Sequence, residues 1–240
     1  MVNNGLTSMS KRLDEKTWQE VEESLRETIP HYERVNSAIT FGLSGKMREL
    51  LLDFDVPNKS TILDAGCGPG ELSELILRKC PDCRVICMDP LPDMLKAAAL
   101  RLGNRVELLR GVFEDIPLEE GSVDMIMASY SFRDAIDKEA ALQEFRRVLK
   151  PGGRLMILDL AKPDNRILST VIGLYIRFLV PVISAVLIGR WNSPWKALYK
   201  TYKHMLTSKE LTRLIGRYFE VEERLSKFGV AFTIVRARKV

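Results

Sequence analysis

Short apolar runs alternate with amphipathic stretches over most of this chain. Thr61 to Leu63, Arg84 to Met88, Ser122 to Ser129 and Leu155 to Leu160 have the length and composition of buried strands. Tyr218 to Arg224 and Val230 to Arg238 read as two further strands that close the chain. Glu71 to Leu77 carries apolar residues at helical spacing, and Lys46 to Asp53 predicts a helix leading into the first strand. Leu13 to Arg26, with Trp18, Val21 and Leu25 one turn apart, predicts a surface or cap helix. Strands and helices in alternation predict an α/β sheet.

One segment breaks the pattern. Ile167 to Gly189 is almost wholly apolar and, at about 1.5 Å per residue, roughly long enough to span a bilayer. Arg177 near its centre, costing on the order of 3 kcal/mol there, opposes a span. Pro181 is expected to break its helical bonding. Topology opposes it too, since a single crossing would part the last two strands from their sheet. Two readings stay open: a helical cap internal to the protein, or a cap whose outer face also sits on a membrane. The flanking Arg166, Arg190, Lys196, Lys200 and Lys203, with Trp191 and Trp195, favour the second.

At 240 residues the chain holds one sizeable core plus a cap. With 46% hydrophobic and 28% charged residues it has an ordinary globular balance, and a net charge of +4 comes without the basic, aromatic-interleaved stripe of a nucleic-acid binder. The polar start, Met1 to Arg12, lacks a signal peptide's apolar run, so a cytoplasmic location is expected. The four cysteines do not read as a disulfide framework. Cys80 and Cys83 have the C-x-x-C spacing of a redox or zinc site, with Cys87 four residues on, but a zinc site would need a further ligand, and His31 and His204 are distant in sequence. Cys80 is expected at a helix end, Cys83 in a turn and Cys87 within a strand, with no metal site.

The chemistry concentrates between the first strand and the following helix, at Asp64-Ala-Gly66-Cys-Gly68-Pro-Gly70. Glycines in such a turn let backbone approach a ligand closely. Asp89 follows at the tip of the next strand, where an acid accepts hydrogen bonds from ribose hydroxyls. Together they predict a nucleoside pocket. The spacing is G-x-G-x-G, not the G-x-G-x-x-G that seats pyrophosphate on a helix N-terminus. It resembles the first motif of S-adenosylmethionine-dependent methyltransferases. Arg146-Arg-Val-Leu-Lys-Pro-Gly-Gly-Arg-Leu155 and the order of the strands resemble them as well.

Two more segments narrow the resemblance. His31 to Leu43 is similar to the N-terminal signature of the ubiquinone/menaquinone-biosynthesis C-methyltransferases, and Ser129-Tyr-Ser-Phe-Arg-Asp134 resembles their Ser-Phe-Gly-Leu-Arg-Asn segment. The likeness covers roughly residues 28 to 215. It implies a Rossmann-like class I fold, mostly parallel and seven-stranded, with helices on both faces and a helical cap. Residues 1–45 would form an N-terminal arm, 46–162 the cofactor core, 163–205 the apolar cap, and 206–240 the last helix and strands.

Site roles follow from the same resemblance. Gly66, Gly68 and Gly70 would line the amino-acid end of S-adenosylmethionine, with Asp64 shaping that loop. Asp89 would hold the ribose, Phe113 and Glu114 would lie at the adenine, and Ser129 beside the cofactor. Arg133 and Asp134 would be catalytic, and Tyr32, Asn36 and His204 would meet the substrate. Where the family has Asn or Asp then Ala at the adenine edge, this chain has Val112-Phe113, and Asp134 replaces an asparagine. The implied reaction is C-methylation of a prenylated quinol. Methylation of another lipid, such as a headgroup amine, and a non-catalytic cofactor-binding module are the competing readings.

Overall fold

The computed structural model describes residues 29–189, 191, 195, 197–227 and 232–240. The helix expected over Leu13 to Arg26, the polar start, Arg190, Lys196 and Val230 lie outside the described residues.

Seven strands form one sheet: β1 (Thr61–Ala65), β2 (Arg84–Asp89), β3 (Val106–Arg110), β4 (Val123–Ser129), β5 (Leu149–Leu160), β6 (Glu220–Lys227) and β7 (Phe232–Arg238). Their order is β3-β2-β1-β4-β5-β7-β6, with β7 antiparallel to both neighbours and the other pairs parallel. The helices are α1 (Tyr32–Ile39), α2 (Leu43–Leu51), α3 (Glu71–Lys79), α4 (Pro92–Leu102), α5 (Lys138–Val148), α6 (Arg166–Leu174), α7 (Val180–Ile188), α8 (Ala197–His204) and α9 (Ser208–Ile215). The chain order runs outward from β1 to β3, then returns to start again at β4. That reversal opens a crevice at the carboxyl ends of β1 and β4, where open α/β sheets bind ligands.

The two-residue period of the strands builds the layers. Leu63, Ile86, Ile126 and Ile157 pack on one face of the sheet with Phe145 of α5 and Leu211 of α9. Their sequence neighbours Ile62, Val85, Met125 and Met156 pack on the other, with Met47 of α2 and Ile76 of α3. A third cluster joins α1 to the cap through Val35, Ile39, Ile176, Val180, Trp195 and Tyr202.

Three local expectations need correction. The fifth strand begins at Leu149 rather than Leu155, because the Pro-Gly-Gly segment stays in the sheet as an irregularity where the β4 register shifts between Val123 and Met125. Cys80 does cap α3 and Cys87 lies in β2, but Cys80 and Cys83 form a disulfide across the turn, with Cα atoms 5.4 Å apart. Pro181 does not break the cap. It sits in the first turn of α7, directly after a π-helical turn, Tyr175–Leu179, which links α6 to α7 without interruption. The wider π-turn absorbs the bond that a proline nitrogen cannot make.

Candidate active site

The glycine turn after β1 needs its glycines. Gly66, Gly68 and Gly70 have φ of 70°, 53° and 86°. A Cβ on Gly66 would stand 2.5 Å from the Ser131 Cβ and 3.0 Å from the Phe113 ring, so the loop is pressed against the segment after β4. Ser131 Oγ donates to the Ala65 carbonyl (2.9 Å), fastening the two strand ends.

Asp89 ends β2 as expected. Its carboxylate accepts from the Gly68 and Leu91 amides, each at 3.0 Å, which ties the acid to the glycine turn. Burial pushes its carboxyl up to about 6, against those two hydrogen bonds. Asp64 is almost wholly buried and accepts from Ser73 Oγ at 2.6 Å. Burial raises it to about 7, with Ser73 and Arg48 pulling the other way, and its Oδ1 has no hydrogen-bond partner.

Around Asp64 and the glycine turn lies a small cavity of about 20 Å³, lined also by Tyr32, Arg48, Glu71 and Ser129. Arg48 donates from Nε to Ser129 Oγ (3.2 Å), pairs with Glu71, and lies over the Tyr130 ring. Arg48 and Glu71 were not legible as site residues, although Glu71 directly follows the turn and Arg48 is a lone cation on a buried helix face. Tyr130 holds φ of 60°, unusual for a residue with a side chain, and its hydroxyl donates to the Ser44 carbonyl (3.1 Å). A second small cavity, also of about 20 Å³, lies between Gly66, Met88, Val112, Phe113, Glu114 and Asp134. Phe113 packs edge-on to Phe132 and Phe145, and one oxygen of Glu114 is committed to the Asp137 amide (2.9 Å).

Beyond β4, the short turn Phe132–Asp134 carries the charged centre. Asp159, buried at the end of β5, accepts from the Arg133 amide (2.6 Å) and from its Nη1 (2.9 Å). Asp134 stands 3.6 Å from Arg133 Nε, which has no hydrogen-bond partner. Lys138 Nζ donates to the Arg133 and Ala135 carbonyls. Burial would lower the Arg133 pKa, but Asp134 and Asp159 outweigh it and raise it. Burial raises the Asp134 carboxyl while Arg133 opposes. Burial also raises the Tyr32 phenol, against Arg133 and Arg48, so this tyrosine stands between the glycine turn and the charged centre.

The other two expected substrate residues lie elsewhere. Asn36 Oδ1 accepts from Trp195 Nε1 (3.1 Å) and so joins α1 to the cap. His204 is exposed in the last turn of α8 and lines neither cavity. Asp159 and Lys138 were missed. An aspartate interrupting the apolar run of β5 was the available signal.

S-adenosylmethionine fits this crevice by two observations. The glycine turn presents backbone with an open side at Gly68, where a Cβ would meet nothing within 4 Å. The unpartnered Asp64 oxygen offers a carboxylate on the same cavity for a cationic amino-acid end. Fold and site together define a class I S-adenosylmethionine-dependent methyltransferase. Among solved structures, one from Aquifex aeolicus described as a SAM-dependent methyltransferase superposes with a TM-score of 0.60 at 20% identity, covering 82% of this chain and 92% of that one. The chain belongs to the ubiE/COQ5 methyltransferase family, whose model matches residues 10–230. It is 32% identical over 162 residues to the ubiquinone/menaquinone biosynthesis C-methyltransferase UbiE of Syntrophotalea carbinolica, covering 66% of this chain and 68% of the relative. It is 29% identical over 203 residues to the demethylmenaquinone methyltransferase of Thermotoga maritima, covering 83% and 88%.

The buried carboxylates predict a pH signature for the cofactor-free protein. Asp64 binds its proton more tightly folded than unfolded, so between about pH 4 and about pH 7 the native state holds the extra proton. Stability from this group is full below that window and is lost as pH rises through it, by about 2–4 kcal/mol. Asp64→Asn is expected to flatten the fall in Tm from acid to neutral pH by roughly 5–10 °C, measured by calorimetry. Parallel curves for the two proteins would show that Asp64 ionises normally in the fold.

Proposed function

We propose that this enzyme methylates a ring carbon of a prenylated quinol of the demethylmenaquinol kind, as a cytoplasmic protein working at a membrane surface. The observation that carries the reading is the buried Arg133, whose Nε makes no hydrogen bond and stands 3.6 Å from the Asp134 carboxylate as an ion pair. The names of the relatives from Thermotoga maritima and Syntrophotalea carbinolica support the same acceptor class.

Gly66, Gly68 and Gly70 would hold the amino-acid end of the cofactor, Asp64 and the Arg48–Glu71 pair its charged groups, Asp89 the ribose and Phe113 the adenine face. When bound, S-adenosylmethionine supplies an electrophilic methyl on a sulfonium. A ring carbon becomes nucleophilic once its neighbouring hydroxyl ionises, and a phenol ionises near pH 10 in water. The Arg133 N–H that makes no hydrogen bond would be an electrostatic donor for the developing phenolate, and Asp134, whose carboxyl burial raises, would accept the phenol proton. After the methyl leaves the sulfonium for the ring carbon, that carbon's own proton would pass to water as the ring rearomatises. Tyr32 bounds the space between the two, where it would exclude water and align the ring. Ser129 would hold Arg48 in register beside the cofactor. Asn36 would act from a distance, by fixing α1 and therefore Tyr32, and His204 would meet only a substrate part that projects past α8. The cap helix would shelter the prenyl tail.

The test is transfer of a labelled methyl from S-adenosylmethionine to a short-tailed demethylated naphthoquinol, kept reduced, with the product mapped by mass spectrometry. A carbon-bound ring methyl is expected. Turnover of a phospholipid amine in its place, or cofactor binding with no transfer to any quinol, would overturn the reading.

A further inference from the structure

We propose that the α6–α7 helix is an in-plane docking surface for an anionic lipid bilayer. The continuous helix Arg166–Ile188 contains an 18-residue window with a mean hydropathy of 2.3, and only 28% of that window is buried in the protein. Its buried side, Ile176, Val180 and Ala185, packs on α1 and the neighbouring cap. The strands on either side of it in sequence share one sheet. With one face held by the protein, the helix cannot cross a membrane and can present only its other face to lipid.

That other face is built as a stripe. Ile167, Val171, Leu174, Phe178, Val182 and Val186 are each at least half exposed, from 50% to 78%. From Ile167 to Val186 the stripe takes five turns and spans 19 residues, whereas five α-helical turns take about 18. The π-turn at Tyr175–Leu179 inserts the additional residue. In an unbroken α-helix Val186 would lie about 100° round the axis from Ile167, and Val182 about 60°. The irregularity that accommodates Pro181 therefore also keeps six apolar residues on one line. A stripe of this kind lies in the interface plane with its apolar side about 5–10 Å into the headgroup and acyl boundary.

Charge selects the occupant. Between Asn165 and Thr207 there are six Lys and Arg and no Asp or Glu, which leaves 30 Lys+Arg against 32 Asp+Glu in the rest of the chain. The cap is thus positive on a molecule otherwise slightly negative. Exposed Arg166, Arg177 and Lys203 belong to it. Arg177 and Lys203 lie 5.4 Å and 5.0 Å from the centre of the Tyr199 ring, an aromatic and cationic cluster of the kind found at headgroup level. Trp191, 81% exposed, follows the end of α7. A second copy of the chain would set six cations against six, so the pattern fits anionic lipid better than self-association.

The experiment is co-sedimentation of the full chain with phosphatidylcholine vesicles, with and without about one-third phosphatidylglycerol. Binding to the mixed vesicles at least about tenfold stronger is expected, weakened by salt. Val171→Glu with Val186→Glu should reduce it by at least about tenfold, while methyl transfer to a short-tailed quinol and Tm stay unchanged. Arg177→Gln with Lys203→Gln should erase much of the preference for phosphatidylglycerol. Wild-type protein left in solution with both vesicles, a glutamate variant that binds like wild type, or a dimer that buries the stripe and persists with vesicles would each overturn the proposal. Vesicle binding is read without turnover, so its failure and that of the quinol assay are separable.

Discussion

Arg133→Ala will lower the rate of methyl transfer by about 10³-fold and leave S-adenosylmethionine affinity within about threefold, if the arginine stabilises a phenolate. The expectation rests on where its charge is spent. Asp159 takes the Arg133 amide and Nη1, which locks the guanidinium to the end of β5, while Nε makes no hydrogen bond and faces Asp134 only as a 3.6 Å ion pair. A purely structural arginine would satisfy its buried donors within the protein. Removing it also leaves Asp159 and Asp134 buried with Lys138 as the remaining nearby cation, which costs on the order of 3 kcal/mol of stability. Rates must therefore be taken well below the variant's own melting point, with cofactor binding by calorimetry as the measure of a folded site. Arg133→Lys supplies the second arm. It keeps a cation for the two carboxylates but loses the planar fork, so it should restore most of the stability and little of the rate. Transfer within about tenfold of wild type in a folded Arg133→Ala protein would assign the arginine to architecture alone. Asp134→Asn, which restores the family's residue, separates the proton acceptor from the ion pair. Loss of rate with a changed pH profile marks a base, and an unchanged profile marks a charge that merely tempers Arg133.

The cofactor half of the site was legible because its determinants are local. A strand, a glycine turn and an acid at the next strand tip are fixed by short-range backbone geometry, and Asp89 meets the Gly68 amide where its spacing placed it. The charged centre was only half legible. Arg133 and Asp134 lie in one motif, but Asp159 reaches them from 26 residues away through the β4–β5 pairing, which no local pattern encodes. Arg48 and Glu71 are the same case, joined across α2 and α3 only once both helices pack on β1. The cap shows the reverse failure. Pro181 obeys a sound local rule, yet the preceding π-turn changes the bonding that the rule assumes. Cys80 and Cys83 were placed correctly in their helix end and turn, and the misreading lay in expecting no disulfide among the four cysteines.

Gly66→Ala should abolish cofactor binding, and Gly68→Ala should nearly do so, for different reasons that a melting curve separates. At Gly66 the new Cβ would enter a position 2.5 Å from Ser131 Cβ and 2.7 Å from its Oγ, on a residue with φ of 70°. Left-handed backbone costs about 1–2 kcal/mol with a side chain, and overpacking costs about 1–3 more. The turn must shift, taking with it the contact that holds the ends of β1 and β4 together, so Tm falls along with affinity. At Gly68 the backbone strain is similar, with φ of 53°, but a Cβ meets no protein atom within 4 Å. Only about 1–2 kcal/mol of stability is at stake there. The methyl instead projects into open space beside the turn. Cofactor affinity should fall by at least about 100-fold at both positions, since each carbon displaces either the cradle or the ligand. Titration calorimetry and apo-state melting of the two variants are the measurements. A Gly68→Ala protein that melts near wild type and binds S-adenosylmethionine normally would move the amino-acid end of the cofactor away from this turn. Weak binding with near-native stability fixes it there, because nothing but the ligand occupies the space that the added carbon takes.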